Sequence, residues 1–142
     1  MSISSTNPMS LEGAKKSIEN WLSPNITYNY SLKKTLGNYP YWTIDVDGAD
    51  VNLVGIKLES LPEYIIFNEI RGGSFICINS SLSSMRGFPK MVGYDLDISY
   101  SKIKNLEDAP KIVDRDFVAR GLNFSIDQVH EKIKKVTGRI IV

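Results

Sequence analysis

The sequence is poor in the residues from which function is most often read. Its 142 residues hold one cysteine, Cys77, and one histidine, His130, and Lys+Arg 17 against Asp+Glu 16 leave a net charge of +1. A single cysteine closes no internal disulfide, which favours a reducing cytoplasm. Balanced charge supplies no broad field to draw in nucleic acid or an acidic membrane, so neither is expected as a partner. No apolar run approaches the roughly 20 residues of a membrane-spanning helix, and the opening residues lack the basic-then-apolar order of a signal peptide. The expectation is a soluble, cytoplasmic protein without a membrane anchor. What the chain does have is a hydrophobic content of 42%, enough for one domain with a core of its own.

It also has a repeat. Leu82, Met85, Pro89, Lys90, Val92 and Leu96 recur twenty-one residues later as Ile103, Leu106, Pro110, Lys111, Val113 and Phe117. A related unit upstream contains Leu58, Leu61, Pro62, Gly73, Phe75 and Cys77, and is three residues longer. Each unit carries a short alternating segment whose flanking apolar residues point inward while the middle one faces out. These segments are Val51-Asn52-Leu53, Phe75-Ile76-Cys77, Leu96-Asp97-Ile98, Phe117-Val118-Ala119 and Ile140-Ile141-Val142. A unit of this size cannot bury its apolar edge alone, so the units stack and pair their strands as one narrow parallel sheet. Proline in the returning arcs predicts irregular or single-turn connections there.

The ends read differently. Ser10 caps an expected helix with Leu11, Ala14, Ile18 and Trp21 on one face, followed by alternation at Ile26, Tyr28 and Tyr30. Ile44-Asp45-Val46 is expected to meet Val51 across an Asp47-Gly48 hairpin turn. Toward the other end, Ser125 and Gln128 form a capping box, with Ile126, Val129, Ile133 and Val136 as the apolar stripe of a covering helix. The predicted fold is α+β: a short leucine-rich-repeat-like solenoid over residues 46–142, with a helix and strand cap over 1–45 and a C-terminal helix before the last strand.

The phrase Ser83-Ser84-Met85-Arg86-Gly87-Phe88-Pro89-Lys90-Met91-Val92-Gly93 and its partner Asn105-Leu106-Glu107-Asp108-Ala109-Pro110-Lys111-Ile112-Val113 carry a family likeness. They resemble the leucine-rich-repeat-like proteins of large tailed bacteriophages. Val46 to Leu53 and Thr137-Gly138-Arg139-Ile140 are similar to that family's usual ends, so the resemblance covers roughly residues 42 to 142. The chain departs from it in keeping the repeated cysteine only at Cys77, where later units have Ile98 and Ala119. The resemblance implies a phage protein acting inside a bacterium, and it implies no catalytic motif.

Four groups of residues invite chemistry. Cys77 and His130 are a conceivable nucleophile and base, although Cys77 falls on an inward position where a thiol behaves as a small hydrophobe. Asp45, Asp47 and Asp50 surround Gly48, but the spacing is not that of a calcium loop, since Gly48 comes too early and Ile56 stands where the final glutamate belongs. The Gly72-Gly73 doublet lacks the spacing of a phosphate-binding loop and reads as a tight turn. Lys132, Lys134, Lys135 and Arg139 form a basic cluster with Asp127 and Glu131 beside it, which reads as a solvated helix face. No catalytic residue, metal or cofactor is expected.

What remains is a surface. The middle strand positions form an outward ladder of Asn52, Ile76, Asp97, Val118 and Ile141, with Ile78, Ser99 and Arg120 one residue pair along. Apolar residues on such a face suit protein recognition, as do Tyr39, Tyr41 and Trp42. The leading expectation is a non-enzymatic phage protein that binds a host bacterial protein, such as a defence enzyme, and inhibits or otherwise modulates it. The alternatives are a self-associating or virion assembly protein, with a homo-oligomer, and an enzyme built on Cys77 and His130.

Overall fold

The computed structural model describes Lys16 and residues 30–34, 42–62 and 65–142. The repeat becomes a β-solenoid. Five strand pairs wind through four full turns: β2 (Trp42–Asp47) with β3 (Val51–Asn52), β4 (Ile65–Arg71) with β5 (Phe75–Ile76), β6 (Met91–Val92) with β7 (Leu96–Asp97), β8 (Ile112–Val113) with β9 (Phe117–Val118), and β10 (Lys135–Val136) with β11 (Ile140–Ile141). The second strand of every pair joins one parallel sheet in the order β3-β5-β7-β9-β11. These are the five segments that alternation marks out, in register: Val51, Phe75, Leu96, Phe117 and Ile140 are successive partners.

The expectation of a single sheet with irregular arcs is corrected. The first strand of every pair joins a second sheet, β1-β2-β4-β6-β8-β10, in which only β1 (Tyr30–Lys34) runs antiparallel to its neighbour. Val46, Ile70, Val92 and Val113 point inward from it and are fully buried. The later turns use a single inward valine, Val92 and Val113, where an amphipathic arc would have served, so the leucine-rich-repeat-like and α+β detail does not hold. Beyond Lys16, whose backbone is helical, the described residues contain one helix, α1 (Ile126–Lys132).

The core lies between the two sheets. Leu53, Cys77, Ile98 and Ala119 stack as a second inward column at 0% exposure. Phe67, Phe75 and Phe88 meet at the centre, with ring centroids 5.0 Å and 4.9 Å apart along that chain of contacts. Each fully buried leucine, isoleucine or phenylalanine contributes about 1.5–3 kcal/mol relative to exposure, so the stacked columns dominate stability.

The Asp47-Gly48 hairpin is also corrected. β2 and β3 belong to different sheets, and Gly48, at φ +75°, turns the corner between them while its N–H bonds to Arg71 O at 2.8 Å in the next turn. Aspartate and glycine specify a bend, and what the flanking strands pair with decides whether the bend is a hairpin. Gly72-Gly73 repeats that corner: a Cβ on Gly73 would overlap the Ala49 carbonyl.

At α1 the capping box forms as expected: Ser125 Oγ accepts from Gln128 N–H at 3.1 Å, and Gln128 Oε1 accepts from Ser125 N–H at 2.8 Å. The apolar stripe is shorter than its spacing suggests. Val129 and Ile133 are buried, but Ile126 is 51% exposed, Ile133 is already extended and Val136 belongs to β10. The helix thus fills the arc between β9 and β10. The expected helix over Ser10 to Trp21 lies outside the described residues apart from Lys16, as do Ile26 and Tyr28.

Candidate functional site

Most of the polar residues that invite chemistry are consumed by the turns. Directly before the sheet β3-β5-β7-β9-β11, one residue per turn stands in a column: Asp50, Ser74, Asp95, Asp116 and Arg139. Each of the first four side chains accepts from the backbone N–H of the next member. Asp50 Oδ1 takes Ser74 N–H at 2.8 Å, Ser74 Oγ takes Asp95 N–H at 3.0 Å, Asp95 Oδ1 takes Asp116 N–H at 2.9 Å, and Asp116 Oδ1 takes Arg139 N–H at 2.8 Å. Arg139 closes the column by turning its guanidinium back onto Asp116 Oδ2 at 2.8 Å. The Arg139 backbone N–H, and then its guanidinium, hold the Asp116 carboxyl below its ordinary value. Asp45 is spent similarly, accepting from Asn68 Nδ2 at 2.9 Å and from Glu69 N–H at 3.2 Å. Among the described residues, no group of three or more His, Cys, Asp and Glu side chains is placed to share a metal ion.

Cys77 is fully buried, and that burial, with Asp97 adding to it, pushes its thiol well above its ordinary value. A thiol held protonated is a poor nucleophile. His130 stands exposed on α1. Of the basic cluster, Lys132 pairs with Glu107 at 2.8 Å and Arg139 with Asp116, which leaves Lys134 and Lys135. The Glu107 hydrogen bond raises Lys132 above its ordinary value, and Lys132 lowers Glu107 in turn.

The outward ladder forms in the expected order, since Asn52, Ile76, Asp97, Val118 and Ile141 are successive partners across the sheet. Its accessibility is uneven. Asn52 is exposed, Ile76, Asp97 and Ile141 are half-buried, and Val118 is buried. In the second column Ile78 is half-buried and Arg120 exposed, whereas Ser99 is 2% exposed and its hydroxyl accepts from Arg120 N–H at 3.0 Å. Ser99 and Val118 therefore add little contact area. Trp42, the first residue of β2, is buried at 5% exposure and belongs to the packing. Tyr39 and Tyr41 lie outside the described residues.

Two contributors escaped the sequence reading. Val54 is 51% exposed and occupies the position of Ile78 in the first turn, where Gly55 N–H bonds to Ile78 O at 2.9 Å. Tyr100 belongs to the corner that follows the sheet. There Gly55, Asn79, Tyr100 and Gly121 stand in one column, and all four adopt left-handed backbone, at φ +71°, +55°, +58° and +79°. Glycine and asparagine tolerate that conformation, whereas a side chain such as tyrosine meets about 1–2 kcal/mol of steric opposition. Tyr100 is nevertheless 56% exposed, and its ring lies across Gly121, where an added Cβ would come within 2.6 Å of Tyr100 Cδ1. The signal was present: Tyr100 stands twenty-one residues after Asn79 and twenty-one before Gly121, breaking a glycine and asparagine column. The other exposed tyrosine of this region, Tyr94, is already covered by the Arg115 guanidinium, 4.0 Å above its ring.

Val54, Ile78, Tyr100 and Arg120 thus make a ridge of apolar, aromatic and cationic contact on a rigid two-sheet support. Among the described residues no helix is long and apolar enough to cross a membrane. In comparison with known proteins, the chain matches no family model, no curated protein and no solved structure.

Proposed function

We propose that this chain is a non-enzymatic binding module whose partner is another protein, gripped by the outward side of β3-β5-β7-β9-β11 and the ridge beside it. The observation that carries the reading is Tyr100. Strain concentrated at an exposed aromatic side chain, in a column where other turns use glycine or asparagine, is a feature that folding alone does not require. Tyrosine and arginine are the side chains that dominate protein interfaces when seated at their centre. The half-buried Ile76, Ile78 and Ile141 extend apolar area around it, and Asp97 and Arg120 supply charges that orient a partner.

The likeness of the Gly-Phe-Pro-Lys and Ala-Pro-Lys repeats to leucine-rich-repeat-like phage proteins supplies the biological setting. In that setting the module is phage-encoded, works in the bacterial cytoplasm and modulates a host protein, with inhibition of a defence enzyme as the most direct role. Affinity capture from phage-infected bacteria tests this, using the wild-type chain and Tyr100→Asn side by side. A specific protein retained by the first and lost with the second is the expected outcome. Retention of nothing, or equal retention by both, would overturn the reading.

A further inference from the structure

The second sheet carries a feature of a different kind. One residue before β6, β8 and β10 the chain places Lys90, Lys111 and Lys134, and the backbone aligns them: Lys111 N–H bonds to Lys90 O at 2.8 Å, and Lys135 N–H to Lys111 O at 3.1 Å. Three exposed lysines therefore stand on successive rungs, about 4.8 Å apart. Like charges stacked across strands repel. The ion pairs among the described residues are Arg71 with Glu69, Lys132 with Glu107 and Arg139 with Asp116, and none of them takes in the three lysines.

Apolar surface flanks the column on both sides. On one side Met91 is half-buried and Ile112 is 37% exposed at successive outward positions of β6 and β8. On the other, a shallow cleft of about 290 Å³ is lined by Ile66, Phe88, Pro89 and Ala109, with Lys90, Lys111, Arg86 and one carboxylate, Asp108, at its polar edge. Arg86 is engaged within the fold through Ser60 Oγ and the Leu61 carbonyl, so Lys90 and Lys111 are the cations left to face an occupant.

We infer that this column is a docking site for an acidic polypeptide segment, one that alternates carboxylates with apolar side chains. The carboxylates neutralise the lysines, and the apolar residues settle into the strips on either side. A nucleic-acid strand fits less well, because such strands are held by aromatic platforms on which bases stack. Phe88, the aromatic residue of the cleft, is 5% exposed and packed on Phe75. The inference is independent of the ridge at Tyr100, which borders the other sheet.

The test titrates the full chain against three fluorescent probes: a random copolymer of glutamate and tyrosine, poly-L-glutamate and single-stranded oligodeoxythymidylate. Anisotropy should rank them in that order, with binding that weakens as salt rises. Replacing the column by Lys90→Gln/Lys111→Gln/Lys134→Gln should weaken copolymer binding about tenfold. The exposed control Lys57→Gln/Lys102→Gln/Lys104→Gln should leave it within about twofold. Thermal unfolding of the column variant should occur at or above the wild-type Tm, because repulsion is relieved, which separates lost binding from lost fold. Tighter binding of the oligonucleotide, an equal loss in the control, or no binding of the copolymer at low salt would each overturn the inference.

Discussion

On entering the sheet β3-β5-β7-β9-β11 the successive turns pass through Asp50, Ser74, Asp95 and Asp116, and on leaving it through Gly55, Asn79, Tyr100 and Gly121. The first column is rich in carboxylates and does structural work, each side chain satisfying a backbone N–H that would otherwise lose a partner. The second is nearly featureless and contains Tyr100, a residue that works against the fold. Chemical character alone would have ranked them the other way round. Function is better sought where a residue departs from what its position demands than where reactive groups are many.

The comparison can be broken from either side. The largest effect belongs to the entry corner itself. Gly73→Ala should destabilise by about 3 kcal/mol or more, because the added methyl meets the rigid Ala49 carbonyl, and denaturant unfolding should show the midpoint collapse or the fold fail to form. Next comes the ladder. Asp95→Ala removes the acceptor for Asp116 N–H and should cost about 1–3 kcal/mol in the same measurement, while Asp95→Asn, which keeps an acceptor oxygen, should cost less than half as much.

At the exit corner the sign reverses. Tyr100→Asn should stabilise by about 0.5–1 kcal/mol and raise Tm by a few degrees, since asparagine already serves at the same corner as Asn79. Gly121→Ala sharpens this: it should cost about 2 kcal/mol alone and about 1 in the Tyr100→Asn background, because the clash with the ring disappears while the left-handed strain stays. Should Tyr100→Asn destabilise instead, the ring packs more than it strains and the contrast between the columns fails.

The smallest effect is in pH. Asp116 and Glu107 are held below their ordinary values of 3.8 and 4.5, so the folded state binds protons less readily there than the unfolded chain does. The stability they contribute is fully present above those ordinary values and is lost as pH falls through the lowered ones. Acid unfolding of Asp116→Asn should therefore lose part of the wild-type slope below about pH 4.

Much of the β3-β5-β7-β9-β11 sheet was legible because its segments alternate and recur: Leu96-Asp97-Ile98 and Phe117-Val118-Ala119 announce both direction and spacing. The second sheet was not, because β6, β8 and β10 are two residues long with a single inward valine each, too short for any period to register. The corner at Asp47-Gly48 was misjudged because a bend is local whereas strand partnership is not. At the candidate site the order of the ladder was readable, yet the burial of Ser99 and Val118 depends on what neighbouring turns place around them. Tyr100 was missed because its significance lies in a backbone angle.

The ladder of aspartate and serine has a polarity. Every acceptor reaches toward the backbone of the turn that comes later in the chain, and only Arg139 turns its side chain back, donating to the Asp116 carboxylate. A coil already in place thus presents a prepared socket to its successor. The backbone amides of that same coil draw in turn on the successor's carbonyls, as Val51 N–H does on Ser74 O and Phe75 N–H on Asp95 O, so neighbouring coils are stitched in both directions at a single corner.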